Sequence, residues 1–430
     1  MGLAILFGVF ALALAAGVPV SFALGLAAVA GFWWEGLPLA VAFMQMTSGM
    51  NVFSLLAIPF FIFAGEIMLH GGIASRLITL ASSAVGGVKG GLGIVNVFAS
   101  MLFGGISGSA VADTSALGSI LIPAMRQKGY DTDYAVNVTV TSSIAGIMIP
   151  PSHNMILYSL AAGGGVSVSA LFMAGVAPGV MMCVCLAVAA YLIGAKRGYR
   201  GDPFPGFRAL ARAAAVAFPG LFTAIIILGG VLGGIFTVTE SAAMGAGWAV
   251  LCTALIYREL TWEGFVTAVA QSVRTTSVVL LLVGTASGFA YLLALHRVPE
   301  ELATAMLAIS DNPIVLLLLI NLALLVLGCI MDMAALILIC TPIFLPVATQ
   351  IGVDPVQFGM VVMMNLGLGL TTPPVGAVLF VGCAIARVKI ESVMRTIWPF
   401  YGAILVALAL TTYWSPLSLT LPRLTLGYGT

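Results

Sequence analysis

The sequence predicts an all-α polytopic membrane protein made of two inverted repeats, each with a re-entrant helical hairpin and a helix broken at a Pro-Pro pair. Three observations predict it. Of 430 residues, 61% are hydrophobic and 7% are charged, against roughly 25% charged in an ordinary soluble domain, so the chain cannot dress itself for water and belongs in a lipid bilayer. The stretch 101–162 recurs 223 residues later as 324–385. Pro150-Pro151 falls on Pro373-Pro374 at that same offset.

The repeat is carried by informative residue types. Without a gap, ILIPAMRQKGYDTD (120–133) meets IFLPVATQIGVDPV (343–356), and AGIMIPPSHN (145–154) meets LGLTTPPVGA (368–377). Pro123, Gln127, Gly129, Asp131 and Gly146 fall on Pro346, Gln350, Gly352, Asp354 and Gly369. Two apolar segments matched by chance would share Leu and Val, not these.

Taken in order, the chain opens with two short apolar segments, 2–16 and 18–33, split at Gly17 and Pro19, with Trp33 and Trp34 at an interface. A lateral segment near 38–48 leads into a spanning run at 51–70. A first repeat over 1–194 then holds a hairpin at about 91–126, interrupted by GGISGSAVADTSALG (104–118), and a broken helix at about 134–165. The hairpin arms, at about 15 residues, reach only about 22 Å at 1.5 Å per residue, too short for a hydrocarbon core of about 30 Å. A basic connection at 195–215 with Lys196, Arg197, Arg200, Arg208 and Arg212 follows. The second repeat, 216–430, has crossings at about 216–236, 240–257 and 278–295, a hairpin at about 313–347 interrupted at Asp332, a broken helix at about 356–386 and a last crossing at 397–416.

Charge sets the orientation. Lys89, Arg126 and Lys128 flank the first hairpin, whereas 349–355 after the second has no Lys or Arg; Arg387 and Lys389 follow the second broken helix, and 163–169 after the first is uncharged. The positive-inside rule puts the first hairpin's base in the cytoplasm and the second's outside. Five crossings per half make the copies inverted and both termini periplasmic, with Arg297 and Arg423 as misfits. A net charge of +1 offers no nucleic-acid surface. All six Cys lie in apolar segments without His or acidic neighbours at ligand spacing, as buried thiols do. Strict alternation of apolar and polar residues is absent, which excludes a membrane β-barrel.

Inverted repeats with interrupted helices point to a secondary transporter, because a broken helix frees backbone groups that lipid cannot satisfy. Freed carbonyls suit a hard cation and helix N-termini an anion. In the first half Ser107, Ser109, Asp113, Thr114, Ser115, Ser152 and Asn154 offer oxygens; in the second, Asp332, Thr371 and Thr372 do. The bland reading of the hydroxyls is a bond to the preceding helical turn, and that of Asp332 a neutral, hydrogen-bonded acid. Glu66 and Glu240 are coupling or packing acids. Arg297 binds a substrate carboxylate or snorkels at the interface.

At GGISGSAVADTSALGSILIPAM, IPPSHNMILY and TTPPVGAVLF, the chain resembles the large membrane subunit of TRAP (tripartite ATP-independent periplasmic) transporters over essentially its whole length. The resemblance implies an ion-transporter-superfamily fold of elevator type in the bacterial inner membrane, taking up an organic acid such as a C4-dicarboxylate or sugar acid. It implies sodium as coupling ion and no other cofactor, with two partners, a small four-helix membrane subunit and a periplasmic substrate-binding protein. Its sodium sites carry over to Ser107, Ser109, Gly146, Pro150, Ser152 and Asn154 in one half and to Gly369, Thr371, Thr372, Pro373 and Gly376 in the other. Its substrate site falls on Asp332, with Ser109, Ser152 and Arg297 as further candidates. His153 stands where an apolar residue is expected. Two rivals remain: an intramembrane serine protease, from the Gly-Ile-Ser-Gly string at 105–108 with His153 as base, and an ion channel. A protease has no need of a second hairpin and a second Pro-Pro break.

Overall fold

A computed structural model describes residues 1–310 and 312–429, and the described residues are helical with no strand. By length and composition six helices can cross a membrane: Phe53–His70, Val168–Lys196, Phe207–Leu232, Val238–Ile256, Trp262–Leu295 and Met333–Gln350. A seventh span is Trp398–Tyr413 with Ser415–Leu426, bent by 62°. The expected five crossings per half do not appear as five long helices per half: much of the chain forms shorter apolar helices of 10–17 residues. The connection expected at 195–215 is also shorter, because helix Phe207–Leu232 already includes Arg208 and Arg212.

Both hairpins form. The first pairs Gly91–Ser107 with Ala110–Gln127, and its arms of 17 and 18 residues reach about 26 Å. The broad interruption expected at 104–118 shrinks to Gly108 and Ser109. Gly108 turns the chain in the left-handed region (φ 61°) and Ser109 caps the next helix, its Oγ accepting from the Ala112 amide at 3.4 Å. Gly104 has a packing role instead: a Cβ there would sit 2.8 Å from the Gly146 backbone. The second hairpin pairs Pro313–Gly328 with Met333–Gln350. There Asp332 is the cap, its carboxylate accepting from the Ala334 amide at 3.0 Å.

Each broken helix packs its glycine on the neighbouring hairpin. Gly146 lies against the Ser109 backbone, and a Cβ on Gly369 would come 2.6 Å from Gly328. The first runs as Thr132–Ser142, Ala145–Met148 and His153–Ala161, with a break near Ser143 that the sequence does not announce. The second runs as Pro355–Gly369 and Ala377–Ala386. Both Pro-Pro bonds are cis.

Contacts at the ends show that the two broken helices run in opposite directions. The first starts at the first hairpin's base and ends beside the second's, where Tyr158 donates to the Pro355 carbonyl at 2.6 Å. The second starts there and returns to the first base, where Arg126 donates to the Ala386 carbonyl at 3.4 Å and Asn137 to Val393 at 3.2 Å. That first base is tied to the end of Val168–Lys196: Arg197 bonds Asp131 at 2.9 Å and Asp133 at 3.0 Å, Tyr134 donates to Ala190 at 2.9 Å, and Lys128 pairs with Asp202.

The remaining helices make a framework. Trp262–Leu295 packs on Val20–Trp34, Leu39–Met50 and Ala57–His70, and also on Met333–Gln350, so it joins framework to second hairpin. Ile73–Val85 is an amphipathic helix where the sequence showed only a small-residue stretch, tied down by Arg76 to Glu259 at 2.7 Å.

Candidate functional site

The hairpin tips meet. Ser109 and Asp332, related by the 223-residue offset, line one cavity of about 390 Å³ together with His153, Asn154, Gln271 and Arg274. Three helices begin around it, at caps Ser109, Ser152 and Asp332. Helix N-termini present unpaired N–H groups and a partial positive charge, so the cavity favours an anion. A second cavity of about 330 Å³ adjoins it on the first-hairpin side, lined by Glu66, Ser107, Ser109, Ser115, His153 and Thr275.

Oxygen donors crowd the first tip. Gly108 sits so close to the Pro151 carbonyl that a Cβ would be 3.0 Å from it. Ser152 is fully buried and its Oγ has no partner. In the second arm Asp113, also fully buried, accepts from Ser100 at 3.2 Å through one oxygen and leaves the other unpartnered, as is the Thr114 hydroxyl. Ser100 continues to Ser142 at 3.1 Å, and Asn96 donates to Thr139 at 2.6 Å. Buried oxygens without hydrogens pointed at them are what a hard cation requires.

In the second break the hydroxyls are bonded to their own helix. Thr371 and Thr372 both donate to the Leu368 carbonyl, at 2.8 and 2.9 Å, which is the bland reading of those hydroxyls. Their lone pairs stay available, and Tyr401 donates to the Thr371 carbonyl at 2.5 Å. The break is held to the tip by Val375, whose amide donates to Cys329 at 3.0 Å. Gly376 folds back on Thr372.

The structure thus brings Ser107, Ser109, Ser152, Asn154 and Asp332 to the tips, with Gly146 beneath one and Gly369 beneath the other. Arg297 is not among them. It follows His296 at the end of Trp262–Leu295, in the left-handed region (φ 51°), as the cap of Val298–Ile309, while His296 meets Glu35 at 3.1 Å. The basic residue that faces the cavity is Arg274, and its signal was readable: Gln271, Arg274, Thr275 and Val278 share one helical face at spacings of three and four. Glu240 is an exposed acid in a capping box: it accepts from the Thr237 amide at 2.8 Å, while Thr237 Oγ1 accepts from the Glu240 amide at 3.2 Å. The Thr-Val-Thr-Glu string at 237–240 announces that motif. Among the described residues no cluster of three or more His, Cys, Asp or Glu could hold a metal ion, and no hydrogen bond joins Ser107 to His153.

Paired hairpins and paired broken helices around a shared cavity with polar and charged side chains in its wall define the architecture of a membrane transporter. The same fold is seen in the Alcanivorax borkumensis YdaH transporter, with a TM-score of 0.66 at 16% identity, covering 88% of this chain and 90% of that one. Residues 7–417 match the family "Tripartite ATP-independent periplasmic transporter, DctM component". The chain is 40% identical to the sialic acid TRAP transporter large permease SiaM of Vibrio cholerae, over 96% of this chain and 97% of SiaM. It is 35% identical to the C4-dicarboxylate TRAP transporter large permease DctM of Rhodobacter capsulatus, over 99% of each. The chain belongs to this DctM family of TRAP large permeases and is a transporter subunit, not an enzyme.

Proposed function

We propose that this chain is the permease of a sodium-coupled importer that takes an organic acid from a periplasmic binding protein and works beside a small four-helix membrane subunit in the bacterial inner membrane. The observation that carries the reading is the single cavity enclosed by both hairpin tips and three helix N-termini. Helix N-termini and Arg274 favour the anion; Asn154, Ser109 and Asp332 supply hydrogen bonds that orient it. A bound sodium ion would supply positive charge and tie substrate binding to the sodium gradient. Ser107, Ser152 and the Pro150 and Pro151 carbonyls would hold it in one half, with Asp113 behind them, and Thr371 and Thr372 with the backbone beside Gly376 in the other.

In this reading 1–194 and 216–430 are inverted repeats with the termini in the periplasm. The antiparallel broken helices support that arrangement. The hairpins and broken helices move as one body against the framework, in an elevator-like motion that carries the cavity across the membrane.

The test is uptake of radiolabelled organic acid by proteoliposomes containing the chain with both partners. Accumulation is expected only under an inward sodium gradient and only with the binding protein present. Equal uptake with potassium or choline in place of sodium would refute the coupling, and full-rate uptake by this chain alone would refute the need for a receptor.

A further inference from the structure

Arg274 is the one cationic side chain, histidine aside, among the described residues that line the tip cavity. It lies twelve residues into the 34-residue helix Trp262–Leu295, about 18 Å from its start. No described residue gives it a hydrogen bond or an ion pair. Asp332 faces the same cavity, yet the two are not within ion-pair distance, and the Asp332 carboxylate is engaged with the Ala334 amide. One cavity therefore holds a cation and an anion that do not neutralise each other. A guanidinium that faces a cavity between apolar helices without a protein partner is open to a ligand that completes it.

We propose that the cavity takes a hydroxylated monocarboxylate, with its carboxylate forked on Arg274 and its hydroxyls donating to Asp332. The proposal deepens the transport reading above and rests on it. The guanidinium offers a planar pair of donors that matches a carboxylate, whereas an ionised Asp332 only accepts, so it welcomes hydroxyl donors and repels a second carboxylate. Ser109, His153 and Asn154, which also line the cavity, can each donate or accept and suit the hydroxylated part of the ligand. A volume of about 390 Å³ lies within the roughly 300–1,000 Å³ typical of small-molecule sites. Because Arg274 stands on the framework and Asp332 on the second hairpin, such a ligand bridges the two bodies.

The test is calorimetric binding to the full chain in lipid nanodiscs, in sodium buffer, with gluconate and galacturonate as hydroxylated monocarboxylates and succinate as the dicarboxylate. The sugar acids are expected to bind at least about tenfold more tightly than succinate. Arg274→Gln should weaken sugar-acid binding by about ten- to a hundredfold, the range of a lost charge-assisted hydrogen-bond pair, with partial recovery in Arg274→Lys. Asp332→Asn should let succinate approach the sugar acids. Tighter binding of succinate by the unmodified chain, unchanged sugar-acid affinity in a folded Arg274→Gln protein, or no binding of either acid class would overturn the proposal. Sodium-driven uptake of any organic acid by the complete assembly, measured in parallel, would then show the transport reading standing without it.

Discussion

The two hairpins share a backbone and differ in chemistry. In both, a first arm ends beside a glycine of a broken helix, the chain turns at a tip, and a side chain at the tip caps the second arm. In the first hairpin the cap is a hydroxyl, Ser109, and the acid lies four residues on, at Asp113, sealed inside with Ser100 and Ser142. In the second the acid is itself the cap, Asp332, open to the cavity, and the position equivalent to Asp113 is Leu336, buried among apolar neighbours. Backbone symmetry makes the shape of the cavity. The displacement of one carboxylate by four residues, a little more than one helical turn, decides which tip faces ligand with charge and which keeps polar groups for its own interior.

The sharpest way to break this comparison is Asp332→Ser, which gives the second tip the chemistry of the first. A serine still caps the helix, so stability should change by only a few tenths of a kcal/mol. Uptake should fall by about a hundredfold, as for a lost interaction of about 2.7 kcal/mol. Equal losses of stability and uptake would mean that Asp332 acts only as a cap. The effect is read by thermal unfolding in nanodiscs alongside proteoliposome uptake.

Next in size is the packing beneath the tips. Gly369→Ala places a methyl 2.6 Å from Gly328, backbone against backbone, whereas Gly146→Ala meets the Ser109 backbone at 3.3 Å. Overpacking of this kind costs about 1–3 kcal/mol. Gly369→Ala should reach that range and Gly146→Ala fall below it, in denaturation of the purified protein. The reverse order would show that the second tip has the looser fit.

Asp113→Leu copies the second hairpin into the first. Removing a buried acid with one unpartnered oxygen should leave stability within about 1 kcal/mol of the original. The sodium dependence of uptake should weaken if that acid sits behind a cation. A sodium concentration series that is unchanged would assign Asp113 to packing.

The smallest effect is expected at the first hairpin's base. Burial pushes the Asp133 carboxyl up, but bonds from Arg197 and Thr396 outweigh it and hold it below its ordinary value. A group with a depressed folded-state value stabilises fully above its unfolded value and loses that contribution as pH falls through the folded one. Asp133→Asn should therefore cost up to about 1 kcal/mol at neutral pH. The gap should close as pH drops below the carboxylate range, which thermal unfolding across pH would show.

Composition alone placed the chain in a membrane, since 7% charged residues cannot solvate 430, and the repeat located both hairpins and both Pro-Pro breaks because Gly, Pro and Asp mark backbone that only a few residue types tolerate. The same glycines misled at 104–118: a glycine that turns a chain and one that lets two helices touch are identical in sequence, and only the facing Gly146 separates them. Asp332 was legible as a lone acid in an apolar run, but its role as a cap depends on the dihedral angles of its neighbours. Arg297 and Arg274 were both visible as charges in or beside one long apolar segment. Which of them faces the cavity is set by the direction in which Trp262–Leu295 crosses the second hairpin, a matter of helix packing between distant segments that no local pattern encodes.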